Sequence, residues 1–292
     1  MQSNPSETLF LIRTLEDRLQ ELCLSGELGA DLHMTKGQEA IAMGVCLALQ
    51  PQDMVACHHR MISWAVSRGL PLEPFVAELM GKQTGMAGGL AGEMHLSSLE
   101  HGFAHSFQLV GTVVPFAAGV AWALRNHRKT DGIAVAVFGD AATANGQWHE
   151  GVNLAAVMGL PVLLVCEDNH LAGNVRPDKY NPAWVAQRAR GYGIEYMTID
   201  GNDLPGVTGA ASRAVAYLRA ESRPFLLVCD TTRLGRHKQG QGDGRSKEEM
   251  AKLAERDPLL RLDIPEERRA AIRAKVDEVI ERARRAPEPA LG

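Results

Sequence analysis

The chain has 292 residues, which allows one or two domains, and its 45% hydrophobic content is sufficient for a sizeable buried core. Its 31 basic and 35 acidic residues give a formal net charge of −4, which argues against a protein that binds nucleic acid. There is no apolar run of the ~20 residues that a membrane span requires and no secretory signal pattern, and the five cysteines are scattered, so we expect a cytoplasmic protein without membrane partners.

The predicted elements begin with helices. Asn4 followed by Pro5 predicts a capped helix start, and Gly26 is expected to end this first helix. A second, apolar helix is predicted over residues 39–49. Five glycines over residues 81–92 predict a loop.

Strands and helices then alternate along the chain. Three short apolar runs rich in β-forming residues predict strands, at 133–138, 161–166 and 224–229. Helical spacing is present at 146–158 and 207–218. Continuously apolar strands that alternate with helices are typical of a parallel sheet with helices on both faces. We therefore predict a single α/β domain over residues 1–292, with helical extensions over about 1–50 and 246–292.

Two of the predicted strands end in polar residues suited to binding a metal. The first strand ends in Gly139-Asp140, and Asn169 follows the second. A right-handed crossover makes these strands parallel, so both ends lie at the sheet edge where open α/β sheets bind ligands. Carboxylate and amide oxygens suit Mg2+, which often keeps coordination sites for phosphate groups. The small residues Ala141 and Ala142 would let backbone N–H groups approach a phosphate closely.

A structural interpretation of the same residues is also open. Asp140 could cap the following helix, and Asn169 could form a turn. The dinucleotide-binding pattern Gly-x-Gly-x-x-Gly is absent after the strand, which argues against a Rossmann-type site.

The chain resembles the alpha subunit of the thiamine diphosphate-dependent decarboxylating component of 2-oxo acid dehydrogenase complexes. That family includes pyruvate, branched-chain and acetoin dehydrogenases. Gly139-Asp140 followed by Asn169 is similar to the thiamine diphosphate signature of the family. Further ordered motifs carry the resemblance, at 37–40, 81–82, 94–95, 110–111, 114–115, 146–147, 160–161, 233–237 and 257–258.

The resemblance implies a thiamine diphosphate-binding fold with a site for the cofactor and Mg2+. Asp140, Asn169 and the carbonyl group of Leu171 are expected to bind the metal. Arg60 is expected to contact the diphosphate, with His59 beside it in the position of the family's tyrosine.

The resemblance also implies roles around the reacting centre. Backbone around Gln108 and Val110 is expected to hold the aminopyrimidine ring. His237 matches a loop histidine beside the diphosphate, and His95 matches a histidine near the mouth of the site, so both are candidates for proton transfer. A structural hydrogen bond is the alternative role for His95. Lys238 replaces the serine that is phosphorylated in animal relatives, so we expect no phosphorylation switch there.

A beta subunit is the partner that the resemblance implies. It is expected to carry the pyrimidine-binding domain and the catalytic glutamate, so that the alpha chain is active only in a heterotetramer. The expected activity is an oxidoreductase reaction in which a 2-oxo acid is decarboxylated and its acyl unit passes to a lipoyl or other carrier domain. Three departures from the family pattern, at His59, Ala141 and Asp168, also allow an acetoin-cleaving or acyloin-forming subunit, or a scaffold without cofactor.

Overall fold

The computed structural model describes residues 4–29, 32–238 and 241–289. The described residues form a six-stranded sheet with the order β2-β1-β3-β4-β6-β5. Every neighbouring pair of strands is parallel. The strands are β1 (Met54–His58), β2 (Phe103–Phe107), β3 (Ala134–Gly139), β4 (Val162–Asp168), β5 (Glu195–Asp200) and β6 (Phe225–Asp230).

Helices cover both faces of this sheet. None of the helices in the described ranges combines the length and the apolar character needed to cross a bilayer. Their bounds are α1 (Pro5–Leu24), α2 (Glu39–Ala48), α3 (Ile62–Ser67), α4 (Leu72–Leu79), α5 (Val113–Asn126), α6 (Gly146–Val157), α7 (Val185–Gly191), α8 (Leu204–Glu221), α9 (Lys247–Ala254) and α10 (Glu266–Arg285).

The two faces are built from alternate residues of each strand, because successive side chains of a strand point to opposite sides of the sheet. In β3, Val135 and Val137 belong to the apolar cluster that includes residues of α1, α2, α8 and α10. Ala136 and Phe138 belong to the cluster that includes residues of α5, α6 and α7. Full burial of a valine or phenylalanine side chain contributes about 1.5–3 kcal/mol. The predicted parallel α/β fold with helices on both faces is therefore confirmed.

The strand order creates a crevice between β1 and β3. From β1 the chain passes to β2 on one side, and the next strand, β3, lies on the other side of β1. Open α/β sheets bind ligands at such a point, outside the carboxyl ends of the strands. Residues that directly follow β1 and β3 therefore face one crevice.

The three predicted strands are confirmed within two residues at each end, and the helix stop at Gly26 is matched by the end of α1 at Leu24. Strands β1, β2 and β5 were not predicted. β1 and β2 have five residues each, and β2 contains His105 and Ser106, so neither has a long apolar run. β5 lies at the edge of the sheet and is only partly buried, so its apolar pattern is weak.

The predicted glycine-rich loop after α4 is held by one buried carboxylate. Glu78, near the end of α4, is 1% exposed. Its carboxylate accepts hydrogen bonds from four backbone N–H groups of the loop, those of Ala87, Gly89, Ala91 and Gly92.

The same loop contains a close backbone approach that requires glycine. A Cβ atom added at Gly89, which has φ of 78°, would lie 2.5 Å from the carbonyl carbon of Gly81.

Glu78→Gln is expected to loosen this loop. The amide keeps one acceptor oxygen but turns an NH2 group toward two of the four donors. Hydrogen bonds to a charged group contribute about 1.5–3 kcal/mol each, so the loop loses stability of that order. Hydrogen–deuterium exchange should become faster over residues 87–92. Glu73→Gln, an exposed change on the same helix, should leave that exchange unchanged. Equal exchange rates in Glu78→Gln and the parent chain would contradict the assignment.

Candidate functional site

A cavity of about 750 Å³ opens at the carboxyl edge of the sheet, over the crevice between β1 and β3. Its walls come from residues that follow β1, β2, β3, β4 and β6, and from the glycine-rich loop. His95 is exposed and lies outside the lining, with its ring centroid 6.4 Å from that of His105. The other predicted site residues all line the cavity: His59, Arg60, Gln108, Val110, Gly139, Asp140, Ala141, Ala142, Asn169, Leu171 and His237.

A chain of amide hydrogen bonds fixes the orientation of Asn169. The Glu167 carboxylate accepts from Gln38 Nε2 at 2.6 Å, so the Gln38 amide turns its oxygen toward Asn169. Asn169 Nδ2 donates to that oxygen at 2.9 Å. Asn169 Oδ1 is then a buried acceptor to which no described residue donates. Because a buried polar atom without a partner is costly, this atom indicates a ligand site.

Asp140 is the other oxygen donor at this edge. It directly follows β3 and is 2% exposed. Tyr180 Oη donates to Asp140 Oδ2 at 2.5 Å, and burial raises the pKa of the Asp140 carboxyl. The register of β3 and β4 pairs Gly139 with Glu167, so Asp140 and Asn169 follow neighbouring strand ends. The predicted convergence of these two residues on one edge is present.

The local backbone decides the role of Asp140 and the effect of Ala141, which stands where the family signature has a glycine. The interpretation of Asp140 as the cap of α6 is wrong, because Asn145 caps that helix and its side chain accepts from the backbone N–H of Gln147 at 2.9 Å. Ala141 lies in a short 3-10 helix, Asp140–Ala144, and is not among the described residues with positive φ. The methyl group of Ala141 therefore introduces no left-handed strain.

Two buried arginines place positive charge in the cavity lining. Arg60 and Arg233 are 3% and 2% exposed, and both line the cavity. Arg60 donates to the carbonyl oxygens of Met34 and His237, at 2.7 and 2.9 Å. Arg233 likewise donates to backbone carbonyl oxygens, and burial together with the charge of Arg60 lowers its pKa to about 9. Buried guanidinium groups bonded to carbonyl oxygens keep their charge available for an anion.

Three imidazole rings meet beside these arginines, from His33, His59 and His237. Burial and the neighbouring cationic groups lower the pKa of His237 to about 4 and that of His59 far below its ordinary range. Arg60 Nη2 lies 3.2 Å from His237 Nδ1. Both His59 and His237 are therefore neutral near pH 7.

The segment after His237 is hydrogen-bonded where it is described. Arg245 donates to the carbonyl oxygens of Arg233 and Gly235, and Asn174 donates to that of Gly242 at 3.0 Å. The sequence of this stretch, with Gly240, Gly242 and Gly244, predicts a segment that is mobile until cofactor and partner are bound. That stays a prediction, and Gly240 lies outside the described residues.

Several residues that shape this cavity were not predicted from the sequence. His33, Gln38, Glu93 and Glu167 contribute side chains to the cavity or to the hydrogen bonds around it. Gln38 lies within the motif at 37–40, Glu93 directly precedes the motif at 94–95, and Glu167 lies two residues before Asn169, so their positions were the available signal. His33 lies outside these motifs. The hydrogen bond between Gln38 and Asn169 could not be predicted, because the two residues are 131 positions apart in the chain.

Fold and site together define a parallel α/β protein with a ligand cavity at the carboxyl edge of its sheet. The family model of the dehydrogenase E1 component matches residues 7–291. The chain belongs to this family, as an E1 alpha-type subunit of the 2-oxo acid dehydrogenases. Membership implies thiamine diphosphate as cofactor and a beta subunit as partner.

Two curated relatives illustrate the range of the family. The alpha subunit of acetoin:2,6-dichlorophenolindophenol oxidoreductase from Bacillus subtilis is 35% identical over 252 residues, which cover 85% of this chain and 75% of the relative. The alpha subunit of the pyruvate dehydrogenase E1 component from Zymomonas mobilis is 34% identical over 297 residues, which cover 97% of this chain and 84% of the relative.

The titration of His237 tests the electrostatics of the cavity. Because its pKa is about 4, the His237 Hε1 resonance should stay at the neutral-form chemical shift as the pH is lowered to about 5. Arg60→Met removes a nearby positive charge and should raise this pKa toward the ordinary value of 6.5. NMR titration of 13C-labelled histidine measures both. Arg176→Met, an exposed change, is the control. A midpoint near 6.5 in the parent chain would contradict the analysis.

Proposed function

We propose that this chain binds magnesium thiamine diphosphate in the described cavity and acts with a beta subunit as a decarboxylating 2-oxo acid dehydrogenase. The observation that carries the proposal is the buried, unpartnered Oδ1 of Asn169 at the strand end next to Asp140. A divalent cation between these two oxygens would supply the missing partner and neutralise the buried carboxylate.

The residues present fit Mg2+. Asp140 would provide a carboxylate oxygen, Asn169 an amide oxygen and Leu171 its backbone carbonyl. All are hard oxygen ligands, and Mg2+ bound by few protein groups retains positions for phosphate oxygens. All three residues line the cavity, which supports a shared metal site.

The same cavity suits the diphosphate. Arg60 would neutralise its charge with help from His59, and Gly139 with Ala141 and Ala142 would bring backbone close to it. The buried Arg60 guanidinium donates its hydrogen bonds to neutral carbonyl oxygens. An anion can therefore bind to it without breaking a hydrogen-bonded ion pair within the protein, which supports this role.

The remaining residues are assigned around the reactive end of the cofactor. Gln108 and Val110 follow β2 at the cavity wall, and their backbone would hold the aminopyrimidine. When bound, thiamine diphosphate supplies the electron sink for decarboxylation of a 2-oxo acid. His237, neutral in the cavity, would accept or return a proton there. His95, exposed outside the lining, would act at the mouth of the site.

The proposed partner surface lies beside the cavity. The chain is proposed to fold as one domain, with the beta subunit supplying the glutamate for the pyrimidine ring in a cytoplasmic heterotetramer. A lipoyl or other carrier domain is the proposed acyl acceptor. Exposed apolar residues flank the cavity mouth and the outer sides of α5 and α6, which supports a protein partner there: Leu109, Val110, Phe116, Trp122, Leu154 and Val157.

A second candidate is an acetoin-cleaving or acyloin-forming activity in a specialised pathway. It is favoured by the 35% identity to a relative named for acetoin oxidation. The two candidates share the cofactor site and differ in substrate.

Calorimetric titration of thiamine diphosphate with excess Mg2+, in the presence of the partner chain, tests the site. Asp140→Asn should weaken binding by at least ~100-fold, because it removes a charged metal ligand. Gln38→Met frees the Asn169 amide and should weaken binding by about 10- to 100-fold, as for other residues that orient metal ligands. Asp178→Asn, an exposed change nearby, should bind as the parent does. Undiminished binding by Asp140→Asn would contradict the proposal, and no binding by the parent would favour a scaffold.

The substrate is tested with the assembled alpha and beta chains and an artificial electron acceptor. Release of carbon dioxide from a 2-oxo acid, with one equivalent of acceptor reduced, is the expected result. Acceptor reduction with acetoin and no carbon dioxide release would select the second candidate. Acyloin formation without oxidation would also select the second candidate, in its acyloin-forming form, and would contradict the dehydrogenase assignment.

A further inference from the structure

The cavity holds a group of side chains that the proposed Mg2+ site does not use as metal ligands. His33, His59 and His237 each offer a ring nitrogen, and these atoms all lie within 4.8 Å of one another. We propose that this three-histidine cluster is a binding site for Zn2+ or a similar transition-metal ion, with a fourth coordination position open to the cavity.

The three histidine rings come from different segments of the chain and lie close together in the fold. The centroid of His33 lies 4.3 Å from that of His59 and 5.2 Å from that of His237, and the last two are 5.8 Å apart. Zn–N bonds of about 2.0–2.1 Å in a tetrahedral site put the nitrogens on the order of 3.3 Å apart. His59 and His237 are only partly buried, so side-chain rotation can close the remaining distance.

A buried carboxylate orients one of the three rings. Glu93 Oε1 is hydrogen-bonded to His33 Nδ1, and Glu93 also accepts from the His33 backbone N–H at 3.1 Å. His33 Nδ1 is therefore already hydrogen-bonded, and Nε2 is the ring nitrogen that can bind a metal. A carboxylate behind a ligating histidine is the usual arrangement in zinc sites, because it fixes the ring and strengthens the ligand.

The charges around the cluster determine which ion it can take. Imidazole nitrogens suit Zn2+, whereas Mg2+ prefers the oxygens of Asp140 and Asn169. Glu93 and Glu167 are carboxylates of the same cavity wall and partly offset the nearby Arg60, while Arg233 and Lys238 add positive charge close to His237. Arg60 now contacts His237 Nδ1, and on metal binding it would keep its bonds to the carbonyl oxygens of Met34 and His237.

A metal at the cluster would have three protein ligands and one open position. That arrangement is typical of zinc sites that retain a bound water, in contrast to closed structural sites. Zn2+ there would also exclude the diphosphate from the same cavity, and only this consequence rests on the proposed function.

The test is titration of the full chain with Zn2+, without thiamine diphosphate and with excess Mg2+ to fill hard-oxygen sites. A chromophoric chelator reports affinity and stoichiometry, and Co2+ substitution reports the ligand field. One equivalent per chain is expected, with the visible absorption of tetrahedral Co2+. Glu93→Gln should weaken binding by about 10- to 100-fold, and His59→Phe should weaken it further.

Matched variants separate ligation from folding. His105→Phe replaces another partly buried histidine, outside both the cavity lining and the cluster, and should retain parent affinity. His237→Ala provides a second ligand deletion, in a loop rather than beside a strand, and should also lose the tetrahedral Co2+ absorption. Circular dichroism confirms that each variant is folded. Parent-like affinity in folded His59→Phe and His237→Ala, or no stoichiometric Zn2+ binding by the parent, would overturn the proposal.

Discussion

All six strands of the described sheet run in the same direction, and the site depends on this constraint. It sends every strand end to one edge, and the reversal of strand order at β1 opens a crevice there. Asp140 and Asn169 share that edge because β3 and β4 are neighbours in register. Arg60 and His237 reach it from β1 and from the loop after β6. The strand order therefore determines where the cavity lies, and the side chains determine what it can bind.

Within this frame, a small number of polar side chains determine what the cavity can bind. Glu167 accepts from Gln38, Trp64 and His58, and its bond to Gln38 sets the amide direction that leaves Asn169 Oδ1 without a partner. Glu78 organises the glycine-rich wall in the same way, through backbone donors. Buried carboxylates therefore position the site.

The sequence was sufficient for the parts of the molecule that depend on local pattern. The central strands β3, β4 and β6 are buried on both faces, so their apolar runs were readable, whereas β2 and β5 lie at the sheet edges and were not predicted. Asp140 and Asn169 were readable because both follow predicted strands. His33 joins His59 and His237 only through the tertiary fold, and no spacing rule connects residues so far apart in the chain.

The most direct test of the account is a crystal structure of the alpha–beta assembly grown with thiamine diphosphate and Mn2+ in place of Mg2+, with the metal located by anomalous scattering. The account predicts a single strong peak in this cavity, about 2.0–2.2 Å from a carboxylate oxygen of Asp140 and from Asn169 Oδ1, with the diphosphate directed toward Arg60. A peak away from these two residues, or a cofactor bound elsewhere on the chain, would contradict it.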